Sequence, residues 1–143
     1  MEDESGWIIA ERETDEGLSI LRLKDLDEAF SFHSQPERIN VVWSFQNTTS
    51  ANTPDDAENR NLRFFEDELC GRIERDSSAV LCMVFTEPGT REFVFYAKSL
   101  DQFLDAINSI PETADGYPIE IQHESDCSGR FYHSYAKGVR DRA

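Results

Sequence analysis

The stretch that decides the fold is AVLCMVFTEPGTREFVFYAK, residues 79–98. The unbroken apolar run from Ala79 to Phe85 is typical of a strand that is covered on both faces of a sheet. Glu87-Pro88-Gly89-Thr90 has the composition of a turn, and the segment from Arg91 to Lys98 indicates a second strand. The stretch therefore predicts a β-hairpin whose first strand lies inside the domain.

The segments around this hairpin alternate between strands and helices. Residues 39–45 carry apolar side chains at every second position, which predicts a strand. Residues 53–75 begin with a typical helix start, with Thr53 as a possible cap, and continue with an apolar stripe at helical spacing. A short helix between Ser99 and Pro111 and a strand over residues 117–123 follow.

The order strand, helix, strand, strand, helix, strand predicts an α+β domain of the ferredoxin-like βαββαβ type, with an antiparallel sheet and its helices on one face. Residues 7–23 add an N-terminal β-hairpin that extends or covers the sheet. We expect a single domain over residues 1–143, made of a hairpin and connection (1–38), a ferredoxin-like core (39–124) and a C-terminal segment (125–143). A chain of 143 residues is of ordinary size for one domain.

Composition excludes several classes of protein. Hydrophobic residues make up 38% of the chain and charged residues 30%, which is typical of a globular rather than a disordered chain. No stretch approaches the ~20 apolar residues of a membrane span, and the first residues are acidic, unlike a targeting segment. The cysteines, Cys70, Cys82 and Cys127, are odd in number and have no paired spacing. We therefore expect free thiols and a cytoplasmic location.

The charge balance points to the kind of partner. The chain has 29 acidic and 14 basic residues, for a formal net charge of −15. Such a field repels phosphate backbones and favours encounter with a basic protein, so we expect no nucleic-acid partner. The alternative is that the acidity serves solubility alone.

The sequence contains no phosphate loop, dinucleotide fingerprint, nucleophile elbow or HExxH motif, so we expect no cofactor and do not expect an enzyme. His123, Asp126, Cys127 and His133 are residue types that bind metals, but their spacing fits no standard metal motif. A cysteine nucleophile needs a base beside it, and Cys127 is the one cysteine that has histidines nearby in the sequence. The strand from Arg91 resembles the aromatic strand of RNA-recognition domains, but lacks its glycines.

Acidic and aromatic residues at two places in the chain form a candidate contact surface. Asp55, Asp56, Glu66 and Asp67 share the acidic first helix, and Glu66 is placed to meet Arg91. Phe131 and Tyr135 form an aromatic cluster near the C-terminus, which serves either as a docking segment or as a terminal helix packed on the sheet.

Residues 84–96, VFTEPGTREFVFY, together with Phe65-Glu66-Asp67, Tyr117-Pro118-Ile119-Glu120, Asp126 and Tyr135, resemble the uncharacterised bacterial domain-of-unknown-function family 695. The resemblance covers the chain from Trp7 to about Tyr135. The family often has a tryptophan shortly after the acidic residue near its end, a role that Phe131 takes here. Some members are joined to a domain similar to the protein inhibitor of ribonuclease E, which implies regulation by protein binding.

These observations favour a non-catalytic, acidic, protein-binding module, a regulator or inhibitor of a basic protein such as a nuclease or toxin. One alternative is a small-ligand-binding domain or enzyme with a site on the sheet face, in a pocket lined by Trp43, Arg91 and Tyr96. Another alternative is a homodimer whose main output is structural.

Overall fold

The computed structural model describes residues 6–26, 29–112 and 116–142. Over these residues the chain forms the elements β1 (Trp7–Thr14), β2 (Gly17–Lys24), β3 (Glu37–Ser44), α1 (Asp56–Arg75), β4 (Ala79–Glu87), β5 (Thr90–Ala97), α2 (Leu100–Asn108), β6 (Ile119–Ser125) and α3 (Arg130–Arg142). The predicted hairpins, strands and two central helices are confirmed.

The strands form one six-stranded sheet in the order β1-β2-β4-β5-β3-β6. Every neighbouring pair of strands is antiparallel. The N-terminal hairpin extends the sheet, because β2 pairs with β4 through Leu21↔Phe85 and the residues beside it. The fold is therefore α+β, as expected.

The ferredoxin-like prediction needs correction in two respects. The order of six strands is not that of the four-stranded ferredoxin-like sheet, because β4 has a second neighbour in β2. The helices are also not confined to one face. The C-terminal segment forms α3, whose Tyr132, Ala136 and Val139 recur at helical spacing and are buried against the opposite face.

One core lies between the sheet and the pair of helices α1 and α2, on what we call the α1/α2 face. Its buried side chains come from three strands and two helices, together with the turn after α2. They are Ile39, Val41, Trp43, Leu62, Phe65, Leu69, Ile73, Ala79, Leu81, Val84, Phe93, Phe95, Ala97, Phe103, Ile107 and Ile110. The ring of Phe65 lies at its centre, 5.4 Å from the Trp43 ring and 6.0 Å from the Phe93 ring.

A second core lies under α3, on what we call the α3 face. Its buried members are Ile8, Leu23, Cys82, Met83, Val94, Tyr96, Tyr132, Ala136 and Val139. The apolar run of β4 serves both cores, since Leu81 and Val84 face one core and Cys82 and Met83 the other. A β-bulge between Leu81 and Met83 shifts the alternation. The prediction that this strand is covered on both faces is confirmed.

The helix caps differ in part from expectation. Asp55, not Thr53, caps α1, and its side chain accepts a hydrogen bond from the Glu58 N–H at 2.9 Å. The Thr53 hydroxyl instead bonds the Thr49 hydroxyl at 2.7 Å within the preceding loop. Ser99 caps α2, and its side chain accepts a hydrogen bond from the Gln102 N–H.

Candidate functional site

Helix α3, which forms one side of the candidate site, is held on the sheet by hydrogen bonds at its first turn. The Asp126 carboxylate accepts hydrogen bonds from the Arg130 and Phe131 N–H groups, at 2.9 and 3.0 Å, in the first turn of the helix. The Tyr96 hydroxyl donates to the same carboxylate at 2.7 Å and accepts from the Tyr132 N–H at 3.1 Å. Partial burial acts to raise the pKa of Asp126, but these hydrogen bonds outweigh it and lower the pKa.

Two further contacts fix the start of α3. The Tyr132 hydroxyl donates to the Lys24 carbonyl at 2.6 Å and accepts from the Leu26 N–H at 3.1 Å. Gly129 has φ +68°, and a Cβ built there would lie 2.6 Å from the Phe32 ring. A side chain at this position would therefore strain the backbone and force the Phe32 ring or the start of α3 to move.

Helix α3 covers only part of its face. Ala10, Leu21, Phe85 and Glu92 are successive partners across β1, β2, β4 and β5, so they form one row on the sheet. All four are half-buried. Beside them lies a groove of about 460 Å³, with α3 as its wall through Phe131, Ser134, Tyr135, Gly138 and Val139.

The groove combines aromatic surface with negative charge. The Tyr135 ring is 4.9 Å from the Phe85 ring and 5.2 Å from the Phe131 ring, and Tyr135 is 40% exposed. The charged residues that line the groove are Glu11, Glu87 and Glu92 against Arg12, so carboxylates are in excess. An apolar floor with carboxylates around it suits a cation carried on an apolar stem.

A polar network approaches the groove from the other side of Phe131. Buried Asn40 donates from Nδ2 to Glu92 Oε2 at 2.6 Å and accepts from Arg38 Nε at 3.0 Å. Arg38 also pairs with Glu124 at 2.9 Å, and its guanidinium lies 4.4 Å from the centre of the Phe131 ring. The network holds the Glu92 carboxylate in one orientation.

The acidic residues predicted on α1 lie on the opposite side of the sheet from this groove. Asp55 is a helix cap, and Asp56 and Asp67 are exposed. Glu66 pairs with Arg22 at 2.8 Å, not with Arg91 as expected. The expected partner, Arg91, instead donates from Nε to the Thr86 hydroxyl at 2.9 Å.

Arg91 is half-buried and lies near charges of both signs. Burial lowers the pKa of this guanidinium, and the nearby charge of Arg22 adds to the effect. Glu66 acts in the opposite direction. The charges of Arg22 and Glu66 therefore both act on Arg91, while the ion pair of Glu66 is with Arg22.

The pocket expected from Trp43, Arg91 and Tyr96 does not form. Trp43 is buried in the core of the α1/α2 face, whereas Tyr96 is buried in the core of the α3 face. Since side chains on opposite faces of a sheet are separated by the backbone, they cannot line one pocket. Tyr96 instead anchors α3 through Asp126.

Sequence reasoning missed Glu58, which is only 2% exposed. Its carboxylate accepts from Trp43 Nε1 at 3.0 Å and from the Gln46 N–H at 2.8 Å. The signal was its place three residues after the Asp55 cap, where a carboxylate turns back over the helix start. Its role here is to tie α1 to the end of β3.

The metal-binding residue types are engaged elsewhere. His123 pairs with Glu37, Asp126 holds α3, and the His133 ring packs at 5.2 Å from the Phe32 ring. Within the part of the chain that the structure describes, no group of three metal-ligating side chains occurs.

All three cysteines are free thiols, in line with expectation. Cys82 is buried in the α3-face core, and burial raises its pKa to about 12. Burial also raises the pKa of Cys70 to about 12, with the charge of Glu66 adding to the effect. Cys127 is exposed in the loop before α3, beside a second pocket of about 430 Å³ that also contains Arg38 and Phe131.

The molecule is thus an α+β domain whose antiparallel sheet carries helices on both faces and a groove beside the last helix. The chain belongs to the family of unknown function DUF695, whose model matches residues 6–136. This match confirms the resemblance. The comparisons with the curated proteins and with the solved structures give no match. Among the described residues, no helix is long and apolar enough to span a membrane.

Proposed function

We propose that the protein is a non-catalytic, cytoplasmic binding module for a basic protein, and that the groove beside α3 is its contact surface. The observation that carries this proposal is the joint lining of the groove by aromatic rings and carboxylates, chiefly Phe85, Tyr135 and Glu92. The biochemical role that follows is regulation or inhibition of a basic partner, such as a nuclease or a toxin.

Two ranges of interaction support this role. At long range, a net charge of −15 steers a basic protein towards the molecule and raises the association rate at low salt. At short range, aromatic side chains are the commonest anchors of protein interfaces, and Phe131 and Tyr135 present their rings at the groove. The acidic residues of α1 lie across the sheet, so they contribute steering rather than contact.

Edge pairing into a homodimer has less support. The strands at the two edges of the sheet are β1 and β6. Strand β1 carries Glu11 and Glu13, and β6 carries Glu120 and Glu124. Carboxylates on both edges oppose the approach of a second acidic edge. We expect a monomer in gel filtration at high protein concentration, and a stable dimer would favour the structural alternative.

The test is an affinity pull-down from the native lysate at about 50 mM and about 500 mM NaCl. The electrostatic screening length differs several-fold between these two concentrations. Wild type is compared with Tyr135→Ala, which removes an exposed ring, and with Asp67→Asn on α1 as a control. We expect a basic protein that wild type and Asp67→Asn retain at low salt, and that Tyr135→Ala loses. Retention by wild type and both variants at both salt concentrations would contradict the proposal.

A further inference from the structure

We propose that the groove is an arginine-recognition subsite, which binds a guanidinium group of the partner against the Phe85–Tyr135 ring pair and beside the Glu92 carboxylate. This inference rests on the proposed function, because it names the side chain by which the basic partner is recognised. The subsite consists of Phe85, Tyr135 and Glu92, with Asn40 behind it.

Strand pairing and the packing of α3 bring the three side chains of the subsite together. Phe85 and Glu92 are directly paired across β4 and β5, so their side chains stand next to each other on one face. Tyr135 places its ring over Phe85 from α3, in an edge-on arrangement at 4.9 Å. A cation that lies on these rings therefore also lies within reach of the Glu92 side chain.

Glu92 is prepared for a charged ligand. Asn40, which is only 4% exposed, donates its amide to Glu92 Oε2 at 2.6 Å and so fixes the carboxylate. This bond uses one acceptor site of Oε2, and a carboxylate offers about four such sites on its two oxygens, so both oxygens can still accept from a guanidinium. A carboxylate that is already ordered loses less side-chain freedom when it binds, which favours the interaction.

The molecule already contains the same recognition chemistry on the other side of Phe131. There the Arg38 guanidinium stacks at 4.4 Å from the ring centre, bonds Asn40, and pairs with Glu124 at 2.9 Å. The groove resembles this site because it places aromatic rings beside a carboxylate, Glu92, which is bonded to the same Asn40 side chain. Its own basic lining residue, Arg12, is exposed at the edge of the sheet.

The geometry favours arginine over lysine. A guanidinium is planar, stacks on aromatic rings and donates in parallel to a carboxylate, whereas an ammonium is a compact and strongly hydrated charge. Long-range attraction to an acidic protein does not distinguish the two cations, because both carry one positive charge. A preference for arginine therefore reports on the groove itself.

The experiment measures binding of fluorescent hexa-arginine and hexa-lysine peptides to the full chain at about 150 mM NaCl, where charges beyond about 8 Å are screened. We expect wild type to bind hexa-arginine about tenfold more tightly, a difference of ~1.4 kcal/mol. Glu92→Gln and Tyr135→Ala each reduce the preference to about twofold or less. Asp105→Asn removes the same charge as Glu92→Gln, but from an exposed position on α2, and we expect it to retain the preference.

The outcomes separate this inference from the proposed function. Equal binding of both peptides to wild type, with equal weakening by Glu92→Gln and Asp105→Asn, would overturn the arginine subsite but leave a general acidic binding module. Binding of neither peptide, together with no basic protein in the pull-down, would overturn both. Circular dichroism of each variant shows whether it is folded, and Glu92→Asp provides a second variant if Glu92→Gln is not.

Discussion

On the α1/α2 face, Trp43 and Phe65 are almost fully excluded from solvent, whereas on the α3 face the row from Leu21 to Glu92 stays half-buried beside the helix. The two faces are built from the same strands. They differ in their cover, because the first is closed by two helices and the second by one helix, α3, whose buried side chains are Tyr132, Ala136 and Val139.

We infer from this difference that the two faces have separate tasks. The α1/α2 face contains a dense set of aromatic rings and stabilises the domain. The α3 face is stabilised by a smaller core and by hydrogen bonds to Asp126 and Tyr132, and it leaves a groove open at its side. We therefore expect stability to depend mainly on the first face and binding on the second.

The largest expected effect comes from emptying the centre of the α1/α2 face. Phe65→Ala removes a ring that is 0% exposed, so we expect the free energy of unfolding to fall by about 3–5 kcal/mol. Urea denaturation followed by tryptophan fluorescence measures this change. A loss below ~1 kcal/mol would break the comparison, since it would mean that this face is not the main source of stability.

A smaller effect is expected where α3 is anchored. Asp126→Asn weakens the bonds to the first turn of the helix and to Tyr96, and we expect a loss of ~1–2 kcal/mol at neutral pH. Because hydrogen bonds lower the pKa of Asp126 in the folded protein, its stabilising effect is present above the ordinary value of 3.8. That effect is lost as pH falls through the folded-state pKa.

The pH dependence supplies the control for this prediction. We expect the stability gap between wild type and Asp126→Asn to be largest above about pH 5 and to close as the pH falls below the ordinary value. Asp105→Asn, on the exposed side of α2, is the matched variant and is expected to show a small gap at every pH. A gap for Asp126→Asn that is constant with pH would show that its carboxylate charge does not hold α3.

The smallest effect concerns access to the core of the α3 face. With a maleimide at about pH 8, we expect Cys127 to react at once and Cys82 slowly, because Cys127 is exposed and burial raises the pKa of Cys82 to about 12. Asp126→Asn should speed the slow reaction of Cys82 by loosening α3. Mass spectrometry of the tryptic peptides measures the reaction of each thiol. An unchanged rate for Cys82 would show that the Asp126 hydrogen bonds do not control access to this core.

Much of the fold could be predicted because its signals are local. The apolar run from Ala79 and the alternation after Ile39 each predicted a strand that the structure confirms. The stripe from Leu62 to Ile73 predicted the helix and its buried side. The prediction of a cap at Thr53 is wrong because both residue types serve as caps, and in the structure Asp55 accepts from the Glu58 N–H whereas Thr53 bonds Thr49.

The candidate site could be predicted only in part, because it depends on strand pairing between distant segments. Phe131 and Tyr135 were recognised from their residue types, and the structure places both at the groove. Glu92 and Phe85 were not recognised as groove residues, because the groove exists only once β2 pairs with β4 and α3 packs on that face. The weak apolar pattern of α3 gave two interpretations, docking segment or packed helix, and it packs on the sheet as a helix.

The most direct test of the central claim is a nuclear magnetic resonance titration of the ¹⁵N-labelled chain with hexa-arginine at about 150 mM NaCl, where long-range attraction is screened. The two faces are then compared in one experiment. We predict that the amide shifts of Phe85, Glu92 and Tyr135 change first and saturate, while those of Asp56 and Asp67 on α1 change little. Saturating changes on α1, with an unchanged groove, would contradict the account.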